Sequence, residues 1–342
     1  MKKYNVAVVG VGAVGIEMLR VLKQRAFPVA NLKVLARSSR NINVDGDTYA
    51  VEAISPEAFN GVQVALFAGT EGEKGAAVTF ANEAVSRGAV VIDNGADFRM
   101  DPNVPLVVPE VNGADVKKHD GIIANPNCST IQMVVALAPI YKEVGITRVI
   151  VTTLQAASGA GRSAVEQLKK ETEQIISGGF GDVHVDLPDK AMAQQLAFNV
   201  FPHIGGTKED DYTSEEWKLV KETHKILHDD KIKITSTTVR VPVRTGHSES
   251  VYIETGKPLA PEAARAILSK SPGIVVIDDI KKSLYPLPNN AEGKDETFVG
   301  RIRRDPFVKN GLWLWVVADN LRKGAATNAV QIAEELVTQK MI

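Results

Sequence analysis

One cysteine, Cys128, stands among 342 residues, so no disulfide can form within the chain, and the composition suits a reducing cytoplasm. Net charge is almost absent too. Forty Lys and Arg against 41 Asp and Glu leave a formal −1, which gives no global field toward nucleic acid or an anionic membrane. The short basic cluster Arg301, Arg303 and Arg304 is the exception, and it falls in strand-like sequence. No apolar run is long enough to span a bilayer. The opening MKKYNVAVVG lacks the apolar stretch and small-residue cleavage site of a secretory signal, so no leader is expected. Internal repeats are absent and low-complexity sequence is scarce. What is present, 44% hydrophobic and 24% charged residues, describes an ordinary globular protein. At this length two domains are expected, because one apolar core rarely grows beyond roughly 250 to 300 residues.

The first third alternates short β-branched runs with helical stretches, the pattern of a parallel sheet with crossover helices. Residues 6–9, 32–35, 62–67, 90–92, 106–108 and 122–124 read as strands, with helices over 14–24 and 74–87. This half reads as a doubly wound fold. After Cys128 the pattern changes to an α+β arrangement. Residues 131–141 look helical, while 148–154, 235–241, 250–253, 297–302 and 313–318 look like strands of a largely antiparallel sheet. Apolar residues at helical spacing over 325–337 predict a terminal helix.

Gly10, Gly12 and Gly15 form GxGxxG directly after the first strand and before a helix. In that context glycine permits a tight turn and close backbone approach, and the free N–H groups of the helix start face a pyrophosphate. Alone, such a turn is also compatible with no ligand. At the end of the second strand, where an acid would bind the ribose of NAD, stand Arg37, Ser38, Ser39 and Arg40. Arginine and serine there suit a 2′-phosphate and favour NADP, although a solvated basic loop would read the same way.

Cys128 lies in Asn125-Pro126-Asn127-Cys128-Ser129-Thr130, between a strand and a helical run. A thiol at or just before a helix N-terminus has its anionic form stabilised by unpaired N–H groups, which can also hold an oxyanion. A lone cysteine is commonly a buried small hydrophobe. Polar neighbours on both sides argue against that here. A thiol nucleophile needs a base. His119, His224 and His228 lie in polar helical or loop surroundings, His184 and His203 in loops rich in Gly and Pro, and His247 in a turn between two strands. Spacing alone does not choose between His247 and His203.

Several segments together carry a resemblance that covers essentially the whole chain: PNCST at 126–130, LQAASGAG at 154–161, RVPV at 240–243, HSES at 247–250, FVGRIRRD at 298–305 and KGAATNAVQIAE at 323–334. In these the chain resembles the aspartate-semialdehyde dehydrogenases. The resemblance implies an α/β protein with an N-terminal Rossmann-type dinucleotide-binding domain, residues 1–130 with 322–342. It further implies an α+β catalytic and dimerisation domain, residues 131–321, and a homodimer. It implies NADPH-dependent reduction of L-aspartyl 4-phosphate to L-aspartate 4-semialdehyde with release of phosphate, on the route to lysine, threonine and methionine.

Carried over by motif, Cys128 is the nucleophile, His247 the acid/base, and Gln155 a group that orients the acyl intermediate. Arg240 matches the arginine that clamps the substrate carboxylate, a role suited to its planar fork. Glu222 and Lys225, which share a helix face, match an acid facing the substrate amine and a lysine facing phosphate; an exposed ion pair would look the same. Arg99 and Asn127 complete the phosphate end. Gly10, Gly12, Ala13, Val14, Gly15, Arg37, Ser38, Ser39, Ser158, Gly159 and Asn320 are the residues expected at the cofactor, and no metal is expected. One departure is the glycine loop, GVGAVG, where the family commonly has GxxGxxG. Two other readings stay open on the residues alone. One is a sister acyl-phosphate reductase, such as N-acetylglutamyl-phosphate reductase or a glyceraldehyde-3-phosphate dehydrogenase. The other is a hydrolase built on Cys128 and His247.

Overall fold

A computed structural model of the chain describes residues 2–69, 75–179, 191–192 and 194–342. These form two compact units, one of Met1–Asn127, Lys225–Leu227 and Gly324–Ile342, the other of Cys128–His224 and His228–Lys323.

The first unit is built on a seven-stranded sheet. Strand β1 (Tyr4–Val9) leads through the glycine turn into helix α1 (Ala13–Gln24), followed by β2 (Val29–Ala36), β3 (Arg40–Val44), β4 (Asp47–Ala53), β5 (Val64–Phe67), helix α2 (Ala76–Ser86), β6 (Val90–Asp93) and β7 (Ile122–Ala124). The strand order is β3-β4-β2-β1-β5-β6-β7, and every pairing is parallel except the β3–β4 hairpin at one edge. The central strands are apolar on both faces, as a sheet covered on both sides requires. A terminal helix, Thr327–Thr338, adds Ala329, Val330, Ile332, Ala333 and Leu336 to the same core.

Two sequence expectations are corrected here. Residues 106–108 are not a strand: only Leu106 bridges Ala124, because Pro105 and Pro109 bracket the run and Pro109 opens a helical turn. The β3–β4 hairpin was not expected, and Arg40 opens β3 rather than closing a loop with Arg37. Asp45 (φ 51°) and Gly46 (φ 92°) supply the left-handed turn that such a hairpin demands. Of the helix expected over 74–87, Lys74 lies outside the described residues.

Gly15 shows why the glycine turn tolerates no side chain at its third position. A Cβ there would stand 1.9 Å from the Gly10 carbonyl oxygen, a backbone atom that cannot yield. Gly15→Ala should therefore lower stability by about 2–3 kcal/mol, seen as a reduced denaturant midpoint with an unchanged slope. An unaltered midpoint would mean that the turn has more room than this.

In the second unit Cys128 opens helix α3 (Cys128–Val144). It continues with β8 (Ile146–Gln155), α4 (Arg162–Gly178), α5 (Ser214–Leu227, whose last turn belongs to the first unit), β9 (Lys233–Arg240), β10 (His247–Thr255), α6 (Pro261–Leu268), β11 (Ile274–Val276), β12 (Thr297–Arg304) and β13 (Gly311–Ala318). The sheet order is β11-β12-β13-β10-β8-β9. Strand β10 is antiparallel to both β8 and β13, and β12 to β13, while β8–β9 and β11–β12 are parallel. Helix α3 packs against β10 with its residues Ser129 to Ala138 buried. Among the described residues no helix is long and apolar enough to cross a membrane.

Candidate active site

The segment ahead of the cysteine is pinned. Asn125, fully buried, donates its backbone N–H to the Asp93 carbonyl at 2.7 Å, and its side-chain amide donates to Asn94 Oδ1 at 2.7 Å. Its own Oδ1 accepts from Asn328 of the terminal helix at 2.7 Å. Three residues later Cys128, half-buried, is the first residue of α3, three positions earlier than the expected helical run. The thiol thus stands where first-turn N–H groups and the helix dipole favour an anion.

Three neighbouring strands deliver the remaining groups at one level. Gln155 ends β8 and pairs with Arg240, which ends β9, while His247 begins β10 beside Ser248, the partner of Leu154. All three side chains are buried. Arg240 donates from Nη1 to the Ala156 carbonyl at 2.6 Å, and its Nε is buried without a partner. Burial pulls the guanidinium below its usual affinity for the proton, against the electrostatic attraction of Cys128 and Glu215.

His247 receives a hydrogen bond at Nδ1 from the backbone N–H of Ala156, at 3.0 Å. Nδ1 must therefore carry the lone pair, which puts the ring proton on Nε2. Nε2 has no partner. Burial, and secondarily the charge of Arg240, holds the imidazole well below its ordinary pKa. The expected outcome is a ring that is still neutral where an ordinary histidine takes up its proton. Nitrogen NMR should show Nδ1 unprotonated and Nε2 protonated there; a titration near the usual histidine value would refute it. The unfolded chain takes up a proton here below about pH 6.5 while the folded one does not, so this group makes the fold less stable as pH falls through that point.

Gly159 leaves the space these groups use. A Cβ there would lie 2.9 Å from Arg240 Nη1 and 3.0 Å from both Cε1 and Nε2 of His247. Behind it, Asn320 Oδ1 accepts from Ser158 Oγ at 3.0 Å and from the Gly246 N–H at 2.9 Å, which fixes the turn leading into His247. Ser158 and Asn320, both buried, are thus bound to each other.

Helix α5 supplies a group that the sequence reading did not select. Glu215, in the first turn and inside the Thr213–Glu216 capping box, accepts from Gln155 Nε2 at 3.2 Å and is electrostatically linked to Arg240 and to Lys218 at 3.4 Å. Glu222 lies seven residues further along, and Lys225 three beyond it shares its helical face. Glu222 is buried, and the Lys225 ammonium donates to the carbonyls of Arg99, Asp101 and Val104 at 2.7, 2.7 and 2.8 Å. The face was legible in the sequence, but the acid that reaches Gln155 and Arg240 is two turns nearer the N-terminus. The capping box was the available signal. In the first unit, buried Arg99 donates to Asn125 O at 3.0 Å and to Asn94 O at 2.7 Å, and Asn127 is buried.

At the carboxyl ends of β1 and β2 the glycine turn and the Arg37–Arg40 segment are neighbours by register. Gly12 caps α1 with open space around it, leaving the cradle a pyrophosphate needs, with Ala13 and Val14 opening the helix behind it. Arg37, Ser38 and Ser39 are exposed; Ser38 accepts from Arg40 at 3.2 Å, and Ser39 Oγ from the Ala53 N–H at 3.0 Å. Donors and space fit a dinucleotide phosphate chain. Among the described residues no cluster of three or more His, Cys, Asp or Glu could hold a metal ion.

Comparison with known proteins bears directly on this arrangement. Residues 5–119 match the family model of the semialdehyde dehydrogenase NAD binding domain, and residues 137–323 that of the semialdehyde dehydrogenase dimerisation domain. The chain is 52% identical to an aspartate-semialdehyde dehydrogenase of Aquifex aeolicus, covering 99% of both chains, and 48% identical to that of Bacillus subtilis, covering 97% of both. The chain belongs to the aspartate-semialdehyde dehydrogenase family. Among solved structures of that family it resembles aspartate semialdehyde dehydrogenase II of Vibrio cholerae, complexed with ASA, with TM-score 0.92, 43% identity and 99% coverage of each chain. The family's two domain models fall on the parallel and the mixed sheet respectively, so the expected fold class holds in both halves.

Proposed function

We propose that this chain is an NADP-dependent phosphorylating dehydrogenase that interconverts L-aspartyl 4-phosphate and L-aspartate 4-semialdehyde plus phosphate, as a cytoplasmic homodimer, on the route to lysine, threonine and methionine. The observation that carries the reading is Cys128 at a helix N-terminus, electrostatically linked to a buried Arg240 that also faces a neutral His247. The first unit would bind the cofactor through Gly10, Gly12, Ala13, Val14, Gly15, Arg37, Ser38 and Ser39. Ser158, Gly159 and Asn320 are the further residues that the family resemblance assigns to the cofactor. When bound, the nicotinamide supplies or accepts the hydride.

In the reductive direction the Cys128 thiolate attacks the acyl carbon; a C–S bond forms, the C–O bond to phosphate breaks, and inorganic phosphate leaves with the electron pair. Arg240 holds the substrate carboxylate. Glu215, buried beside Gln155 and Arg240, is the acid assigned to the substrate ammonium, ahead of Glu222. Gln155 orients the acyl oxygen. Arg99 and Asn127 serve the phosphate end. Lys225, with its donors on three carbonyls, holds the Arg99–Val104 segment in shape. Because its proton sits on Nε2, His247 donates toward the substrate oxygen as charge develops there.

The test is to follow NADP reduction with L-aspartate semialdehyde, with and without phosphate. Reduction that requires phosphate is expected. Equal rates without it would overturn the phosphorylating chemistry, and preference for N-acetylglutamate semialdehyde would move the chain to a sister reductase.

A further inference from the structure

Two residues beyond His247, on the same face of β10, Glu249 is fully buried and takes no part in the chemistry above. Opposite it on β8 stands Thr153, whose hydroxyl accepts from Gln155 Nε2 at 3.4 Å. The polar face that carries His247 and Gln155 therefore continues one layer deeper.

Helix α3 covers this layer, and its contribution is Gln132, also fully buried. Gln132 lies four residues after Cys128, on the same helical face one turn on. Its Nε2 donates to the His247 carbonyl at 3.4 Å, and its amide faces the Glu249 carboxyl. One side chain thus touches the backbone of the histidine and the carboxyl two residues away, from the helix that starts with the nucleophile.

Glu249 Oε1, Glu249 Oε2 and Gln132 Oε1 are all sealed from water in this cluster. A charged carboxyl here would be stripped of water with only the Gln132 amide to offset the loss. A single proton on Glu249 removes that charge, and the Gln132 amide carries both a donor and an acceptor with which a neutral acid can pair. Burial indeed pushes the Glu249 carboxyl well above the usual carboxylate range, with the Gln132 amide opposing only in part.

We propose that Glu249 is a positioning residue of the reaction, which through Gln132 fixes the strand that carries His247 to the helix that carries Cys128. The inference rests on the proposed function for its readout of turnover, but not for its readout at the thiol. Glu249→Gln keeps a donor and an acceptor without a charge; Glu249→Leu keeps the volume alone.

The kcat of Glu249→Gln should stay within about twofold of the parent, while Glu249→Leu should lose about tenfold, the equivalent of one buried hydrogen bond. In both, KM for aspartate semialdehyde and affinity for NADP should stay within about twofold. Gln132→Leu should lose about as much as Glu249→Leu, and the double variant little more than either. Alkylation of Cys128 by iodoacetamide, measured without substrate, should slow in the Leu variants and not in Glu249→Gln.

Full kcat in Glu249→Leu, equal loss in the Gln and Leu variants, or losses that multiply in the double variant would each overturn the proposal. Should Glu249→Leu not fold, Glu249→Gln and Gln132→Leu carry the same comparison. Should the parent fail to reduce NADP with aspartate semialdehyde, the proposed function falls, and the alkylation rates still decide the role of Glu249.

Discussion

Cys128→Ala is expected to reduce phosphate-dependent NADP reduction by at least about 10⁴-fold while leaving NADP affinity nearly intact. The size of the loss follows from the kind of catalysis. Without the sulfur there is no thioester, and the neighbouring groups have no bond to stabilise. The intact affinity follows from placement, because the glycine turn and the Arg37–Arg40 segment belong to the other sheet. Fluorescence titration with NADPH and a phosphate-dependent rate assay on the same preparation separate the two effects. Substantial turnover in the variant would refute the nucleophile.

Arg240→Lys is expected to raise the Michaelis constant for aspartate semialdehyde by about 10²-fold with a smaller change in kcat. One arm of the guanidinium is already committed to the Ala156 carbonyl at 2.6 Å, which leaves the buried Nε edge for a carboxylate. An ammonium has no second arm: it can satisfy the carbonyl or the substrate, not both with the same geometry. It would still supply positive charge near Cys128, which is why kcat should suffer less than binding. An unchanged Michaelis constant would remove Arg240 from the substrate.

The parallel sheet was legible because its strands are apolar on both faces, and the glycine turn because its spacing falls between a strand and a helix. The place of Cys128 at a helix start was legible because a strand precedes it and an apolar helical run follows. Three features were harder. The β3–β4 hairpin is exposed and polar, so hydrophobic pattern says little about it, and only Asp45-Gly46 marks the turn. The run 106–108 has strand composition but too little length between two prolines to pair beyond one bridge. Glu215 and Glu222 share a helical face, and choosing between them requires the level at which Gln155 and Arg240 stand. Face is a matter of periodicity and can be read locally. Level depends on how distant segments pack, and no local pattern encodes it.

That Gln155, Arg240 and His247 end or begin three adjacent strands has a practical side. Their separation is dictated by the spacing of paired backbones, about 4.8 Å per step, and not by the conformation of any loop. Exchanging Arg240 would alter what is grasped without disturbing where the grasping occurs. An enzyme laid out in this way can be redirected toward another acyl group one letter at a time, with the connecting segments left alone.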